Sequence, residues 1–227
     1  MFKHEHHRRI AAVLESMDAA VLRQTQCYFG GGTAISMQLG EYRKSVDIDF
    51  LIRNEDGYRW LRNEVSERSF GSLFRKAPVI VGSSGIRADR YGIRALLDVE
   101  GTALKLDIVS EGRIALQGQE VEAIAVPVLN RDCLFAEKLL ANADRWASPE
   151  THSRDVIDLA YMVDAWGAIP TAAFDAARRA YGPSVDVALA KAIERIMEPK
   201  WLNHCCDEME MDLDTTRHVV NCFARQA

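Results

Sequence analysis

No apolar run in this 227-residue chain approaches the ~18 residues that a membrane-spanning helix requires. The first nine residues are polar and lack the apolar core of a signal peptide. Cysteine is scarce: five residues, an odd number, with no C-x-x-C pair. That excludes a disulfide frame and a four-cysteine zinc knuckle, and points to reduced thiols in a cytoplasmic protein. Positive charge is not in excess, with 28 Lys and Arg against 33 Asp and Glu and a net charge of -5. A uniformly basic nucleic-acid coat is therefore excluded, while a local basic cleft is not, because steering depends on where charges sit. Internal repeats and low-complexity stretches are also missing. What remains is an ordinary globular composition, 48% apolar and 27% charged. The length suffices for one large or two small domains with a core that needs no staple.

The periodicity divides the chain in two. Residues 4–25 read as one amphipathic helix, with Ile10, Val13, Leu14, Met17 and Val21 at helical spacing. Cys27-Tyr28-Phe29 leads into three glycines and a short helix over 33–39, stopped at Gly40. Val46, Ile48, Phe50 and Ile52 alternate with Asp47, Asp49 and Leu51 as one strand. Residues 55–76 read as a helix with Trp60, Leu61, Val65 and Leu73 in the core. Strands follow at 78–81, 92–99 and 103–109, with Glu100-Gly101-Thr102 turning between the last two and a small hairpin from 114–116 and 121–124. Beyond Pro127 strand signals cease. Helices are expected at 131–146, 150–166, 171–181, 184–197 and 212–225, the second starting at Ser148-Pro149-Glu150. The expected fold class is α+β, a mixed α/β domain over 1–126 followed by a helical domain over 127–227.

Chemistry concentrates in the front half. Asp47 and Asp49 lie two apart on a strand, so both face one way, roughly 6–7 Å apart at their α-carbons. That spacing lets both carboxylates reach shared magnesium or manganese, hard cations that need few protein oxygens. Asp107 is the third candidate. Leu104, Leu106 and Ile108 face the core, which puts Lys105 and Asp107 together on the opposite face. A D-x-D pair alone equally describes a solvated sheet face; the glycine turn upstream favours the metal. Gly31 and Gly32 permit close backbone approach, and the helix behind them offers free N–H groups to phosphate. Thr33 can cap that helix and donate its hydroxyl. Arg43 and Ser45 precede Asp47 by four and two residues; the arginine can fork a phosphate or be a surface residue in a turn.

In the back half, Lys138, Ala141 and Arg145 share one helix face, and Arg154 and Asp158 form an i,i+4 pair worth tenths of a kcal/mol. Both patterns read, alone, as charged helix surface. Arg75, Lys76, Arg87, Arg90 and Arg94 form the best local basic stretch, with a solvated surface as its plainer reading. His4, His6 and His7 read as a frayed terminus. Cys205-Cys206 beside His204 lacks the second pair that zinc needs. Trp146, Trp166 and Trp201 read as helix-packing residues.

Together these residues resemble the DNA polymerase β-type nucleotidyltransferases, and more closely the AbiEii/AbiGii toxin family of bacterial type IV toxin–antitoxin and abortive-infection systems. The family pattern is a Gly-Gly-Thr turn, an R-x-S-x-D-x-D-F segment, a lysine–alanine–arginine helix and an R-D-x-x-D helix. Here it reads Gly31-Gly32-Thr33; Arg43, Ser45, Asp47, Asp49 and Phe50; Lys138, Ala141, Asp144 and Arg145; Arg154, Asp155 and Asp158. It spans about residues 27–160, and the tail after about 165 carries no matching motif. The resemblance implies a polymerase β-like sheet with flanking helices and magnesium-dependent transfer of a nucleoside monophosphate from a triphosphate. It implies Asp47, Asp49 and Asp107 as metal carriers, and Gly31, Gly32, Thr33, Arg43, Ser45, Lys138 and Arg145 around the nucleotide. It implies an essential role for Asp155, as base or as orienter of Lys138, and a cleft between the two halves. It also implies tRNA as acceptor and a winged-helix repressor antitoxin as partner. A small molecule such as an aminoglycoside, or a protein hydroxyl, is the alternative acceptor; a catalytically silent nucleotide-binding relative is the alternative to an enzyme.

Overall fold

The structure is a computed structural model that describes residues 2–66, 69–80 and 85–226. It divides into two compact units, Met1–Met37 with Val46–Asn130, and Gln38–Ser45 with Arg131–Ala227.

The first unit opens with two helices, α1 (Glu5–Ser16) and α2 (Ala19–Thr25), where the apolar period predicts one. Asp18 makes the break. Its carboxylate accepts the N–H groups of Ala20 and Val21 at 2.9 and 3.2 Å, an N-cap that restarts the helix. His7 is fully buried in α1, so the expected fraying of this end is not seen. Next come β1 (Cys27–Gly30), α3 (Gly31–Gln38), β2 (Ile48–Ile52) and α4 (Glu55–Glu64). Asn54 caps α4, which ends at Glu64, twelve residues short of the expected end at 76; among the described residues of 65–76 the helical structure is a 3₁₀ turn, Gly71–Leu73. Leu61 and Leu73 are core residues as expected, but Trp60 is 42% exposed. It lies one residue from Leu61 on α4, too far round the helix to share its buried face.

The sheet continues with β3 (Val79–Ile80), β4 (Arg87–Ala88), β5 (Gly92–Val99), β6 (Thr102–Ser110), β7 (Gly118–Val121) and β8 (Ile124–Leu129). Val81 of the expected 78–81 strand lies outside the described residues. The strand order is β3-β5-β6-β2-β1-β8-β7, with β4 also paired to β5. β2 runs parallel to β6 and antiparallel to β1, and β1 runs parallel to β8. Two sequence expectations fail here. Residues 114–116 form no strand, and β8 runs through Pro127, where strand signals were expected to end. Proline is tolerated because the β7–β8 register slips at this point: Gln119 faces Val128 but Val121 faces Ile124, a bulge that needs no ladder hydrogen bond from Pro127. The core is apolar side chains from α1 and α2 against the inward face of the sheet, including Ile10, Leu14, Phe29, Phe50, Ile108 and Val126.

The second unit is helical: α5 (Arg131–Arg145), α6 (Arg154–Trp166), α7 (Thr171–Tyr181), α8 (Ser184–Ile196), α9 (Pro199–Glu208) and α10 (Leu213–Ala224). Ser148-Pro149-Glu150 starts only a 3₁₀ turn; His152 and Ser153 then take positive φ, and α6 begins at Arg154. α9 was not expected, although Pro199 in its first turn and buried Leu202, Cys205, Cys206 and Met209 at helical spacing are its signature. The cysteine pair is thus core of a helix, and none of the five cysteines forms a disulfide. The segment Gln38–Ser45 belongs with these helices. It is held by ion pairs from Arg43 and Lys44, by the Lys44 N–H donated to the Met209 carbonyl at 2.8 Å, and by Tyr42 stacked on Tyr161 at 3.9 Å.

Candidate active site

In the sheet unit, strand register assembles an acidic face. Asp49 on β2 is the direct partner of Asp107 on β6, and Asp107 is the direct partner of Arg94 on β5, which faces Arg87 on β4. Directly opposed residues share a face, so Arg87, Arg94, Asp107 and Asp49 form one row across four strands. Gly30 on β1 continues it beside Asp49. Asp47 immediately precedes β2, whose first strand residue is Ile48.

Asp107 is 8% exposed. One of its oxygens, Oδ2, takes an ion pair from Lys105 Nζ at 2.6 Å. The other, Oδ1, is buried and accepts no hydrogen bond among the described residues. Lys105 stands two residues from Asp107 on β6 and so on the same face. The Asp107 hydrogen bond holds its ammonium pKa above the ordinary lysine value; burial opposes this, and the charges of Asp107, Asp47 and Asp49 add to the upward shift. Lys105 therefore sits in the field of all three aspartates. Among the described residues no three His, Cys, Asp or Glu side chains stand grouped to hold a metal by themselves. The cation among these carboxylates is Lys105, a residue that the alternation placed on this face and to which the sequence reading gave no role.

The glycine turn presses on the same carboxylates. Gly31 has φ +68°, and a Cβ there would lie 2.5 Å from Asp49 Oδ2. Only glycine allows both the left-handed backbone and this approach. Gly31→Ala is therefore expected to cost about 1–2 kcal/mol of stability from backbone conformation alone. It should also displace Asp49 and lower triphosphate affinity, read by denaturant unfolding and by fluorescence titration with a labelled triphosphate. Unchanged affinity would remove Gly31 from the site. Thr33 departs from expectation: α3 starts at Gly31, so Thr33 lies inside its first turn, and its hydroxyl donates to the Asp47 carbonyl at 2.6 Å. It fixes the approach to β2 rather than presenting a free hydroxyl.

The helical unit holds the remaining expected residues in one buried network. Lys138 Nζ lies 2.9 Å from Asp155 Oδ1 and 2.6 Å from Asp158 Oδ2. Arg145 forks onto Asp155, Nε to Oδ2 at 2.7 Å and Nη2 to Oδ1 at 2.9 Å. Arg43 forks onto Asp158, Nε to Oδ1 at 2.6 Å and Nη2 to Oδ2 at 2.9 Å, and the Tyr42 hydroxyl donates to Asp158 as well. The expected Arg154–Asp158 surface pair is replaced by these buried partners, because Asp158 is fully enclosed and Arg154 starts α6. Burial pushes both carboxylates up, but the charges of Lys138 and Arg145 on Asp155, and of Arg43 and Lys138 on Asp158, outweigh it and hold both below the usual carboxylate range. Three cations face two anions here, and Arg145 is the most exposed of the five. Ser45 ends the same segment as Arg43. Thus Asp47, Asp49, Asp107, Gly31, Gly32 and Thr33 are gathered in the sheet unit, and Arg43, Ser45, Lys138, Arg145 and Asp155 in the helical one.

The chain matches, over residues 13–219, the family model described as nucleotidyl transferase AbiEii toxin, type IV TA system. No curated protein sequence matches it. Three solved structures share its fold. JHP933 from Helicobacter pylori is 15% identical with a TM-score of 0.55, covering 100% of this chain and 93% of its own. A candidate nucleotidyltransferase from H. pylori is 16% identical with a TM-score of 0.56, covering 97% and 92%. An antigenic nucleotidyltransferase-like protein from Paracoccidioides brasiliensis is 14% identical with a TM-score of 0.52, covering 90% and 94%. Family membership implies a nucleoside triphosphate substrate and an antitoxin partner, and among the described residues no helix is long and apolar enough to cross a membrane. With more than nine-tenths of its length inside the family match, the chain belongs to the AbiEii nucleotidyltransferase toxins of type IV toxin–antitoxin systems and is a nucleotidyltransferase.

Proposed function

We propose that this enzyme transfers a nucleoside monophosphate from a triphosphate to a hydroxyl of RNA, of the tRNA class, in a reaction that depends on magnesium or manganese. The observation that carries the reading is the row Asp49–Asp107, flanked by Asp47 and closed by Gly31, with Asp107 Oδ1 buried and lacking a hydrogen-bond partner. A buried carboxylate oxygen without a donor is costly in a finished protein core, and a hard cation relieves it. Asp47, Asp49 and Asp107 would hold the metal, all hard oxygen donors of the kind magnesium prefers. Bound there, it would polarise the phosphoryl oxygens and favour ionisation of the attacking hydroxyl.

The acceptor oxygen bonds to the α-phosphorus, the bond from that phosphorus to the bridging oxygen breaks, and pyrophosphate leaves. The proton of the acceptor passes to a carboxylate oxygen of this face that the metal leaves open, and from there to water. The Gly31–Thr33 turn and the first N–H groups of α3 cradle the phosphates. The net-positive cluster of Arg43, Lys138 and Arg145 suits an anion, with Asp155 orienting both Lys138 and Arg145. The acidic overall charge is offset locally by Arg87 and Arg94 at the end of the row, where an RNA phosphate can approach. The partner is a repressor-type antitoxin, and the site of action is the cytoplasm.

The test is incubation with magnesium, each labelled triphosphate in turn, and total RNA. Label is expected in the small-RNA fraction and absent with Asp47→Ala. Label in protein or in an added aminoglycoside instead would replace the acceptor. Triphosphate binding without transfer to any of them would make the chain a silent relative.

A further inference from the structure

The acidic face carries its own cation. Lys105 and Asp107 differ sharply in freedom: the lysine side chain is 52% exposed and the aspartate side chain 12%. The aspartate is fixed, and the ammonium reaches it from the solvent side on a flexible four-carbon stem. Leu96, the register partner of Lys105 on β5, is an exposed apolar residue that offers that stem a surface. Three aspartates and one lysine sum to a charge of -2, so the ammonium neutralises part of the face and leaves Asp107 Oδ1 unsatisfied. A divalent ion entering alone would share Asp107 with a positive charge already seated on it.

We propose that Lys105 is a resident gate for metal: its ammonium occupies the acidic face in the free enzyme, discourages binding of a bare divalent cation, and moves to the phosphates when the triphosphate brings the metal. The proposal rests on the metal reading given above and adds the order of arrival. Lysine is suited to it where arginine is less so. Its charge is compact, its three donors rotate, and no planar fork must be unmade for it to leave one oxyanion for another. Half its surface is already in water, so the swing needs no rearrangement of the sheet.

The test reads metal binding directly, by electron paramagnetic resonance titration of Mn²⁺ into the nucleotide-free, full-length protein. Lys105→Met and Lys105→Gln are used in parallel, on preparations whose circular dichroism and unfolding midpoints match the parent. Each is expected to bind Mn²⁺ at least about tenfold more tightly than the parent, the least that removing a unit charge beside a divalent ion would give. Lys105→Arg keeps the charge and should stay near the parent. With a non-hydrolysable triphosphate present, Lys105→Met should bind the nucleotide several-fold more weakly, having lost a phosphate partner. Unchanged Mn²⁺ affinity in both neutral variants, with binding still abolished by Asp107→Asn, would overturn the gate and leave the metal site standing. Absence of Mn²⁺ binding from parent and neutral variants alike would overturn both.

Discussion

Asp158→Ala is expected to unfold the helical unit under conditions where the parent is stable. Asp158 is the shared anion of Arg43, Lys138 and the Tyr42 hydroxyl, and none of its surface reaches water. Removing it leaves Arg43 buried without its carboxylate partner and Lys138 with Asp155 alone, a loss of about 3–5 kcal/mol. Against a net stability on the order of 5–15 kcal/mol this is a large share. Three of the four tryptophans, Trp146, Trp166 and Trp201, lie in this unit, so urea unfolding followed by tryptophan fluorescence reports on it. Lys44→Ala removes an exposed pair with Glu210 and should cost no more than about 1 kcal/mol. Equal midpoints for the two variants would refute a structural role for the network. The same network sets an acid limit. Asp155 and Asp158 have folded pKa values below the ordinary one, so their contribution is complete above the unfolded value, ~3.9, and is lost as pH falls through the folded values. Asp158→Asn should therefore be less stable above that value and show a shallower dependence on pH below it, the two curves converging in acid.

Asp49→Asn is expected to lower nucleotidyl transfer by about a thousandfold or more while leaving unfolding near the parent. The amide keeps the shape of the carboxylate and its place in the register opposite Asp107, and loses the charge. Metal stabilisation of a transferring phosphoryl group is worth several kcal/mol, and each 1.36 kcal/mol is roughly tenfold in rate. The loss should appear in single-turnover transfer and in Mn²⁺ affinity together. Asp56→Asn, at an exposed carboxylate in the first turn of α4 that pairs with Arg59, should leave both unchanged. A ten-fold effect or smaller, with unaltered metal binding, would move the metal elsewhere.

How much of this was legible in the sequence depends on how local each cause is. The hairpin of β5 and β6 was placed to within a residue, because alternation and the Glu100-Gly101 turn are written in adjacent positions; both residues have the positive φ such a turn needs. The same alternation put Asp107 and Lys105 on one face. The pairing of Asp107 with Asp49 depends on a parallel register between strands 58 residues apart in the chain, and no local pattern encodes it. The single helix expected over 4–25 failed because the apolar period runs unbroken across a capping aspartate. Arg43 is the least legible residue. Its partner Asp158 lies 115 residues away, and only packing reveals that a segment between α3 and β2 is part of the helical unit.

That separation has a consequence in time. A ribosome adds about 5–20 residues each second, so Asp158 is made about 6–23 seconds after Arg43. Every strand of the sheet precedes α5, and the sheet unit can close around its own core within that interval. Residues 38–45 have nowhere to dock until α6 emerges. The newborn chain thus passes through a stage at which the strands bearing Asp49 and Asp107 are complete and Arg43 is still waiting for its counter-ion, so the buried network of the helical unit is completed only by the second half of its own synthesis.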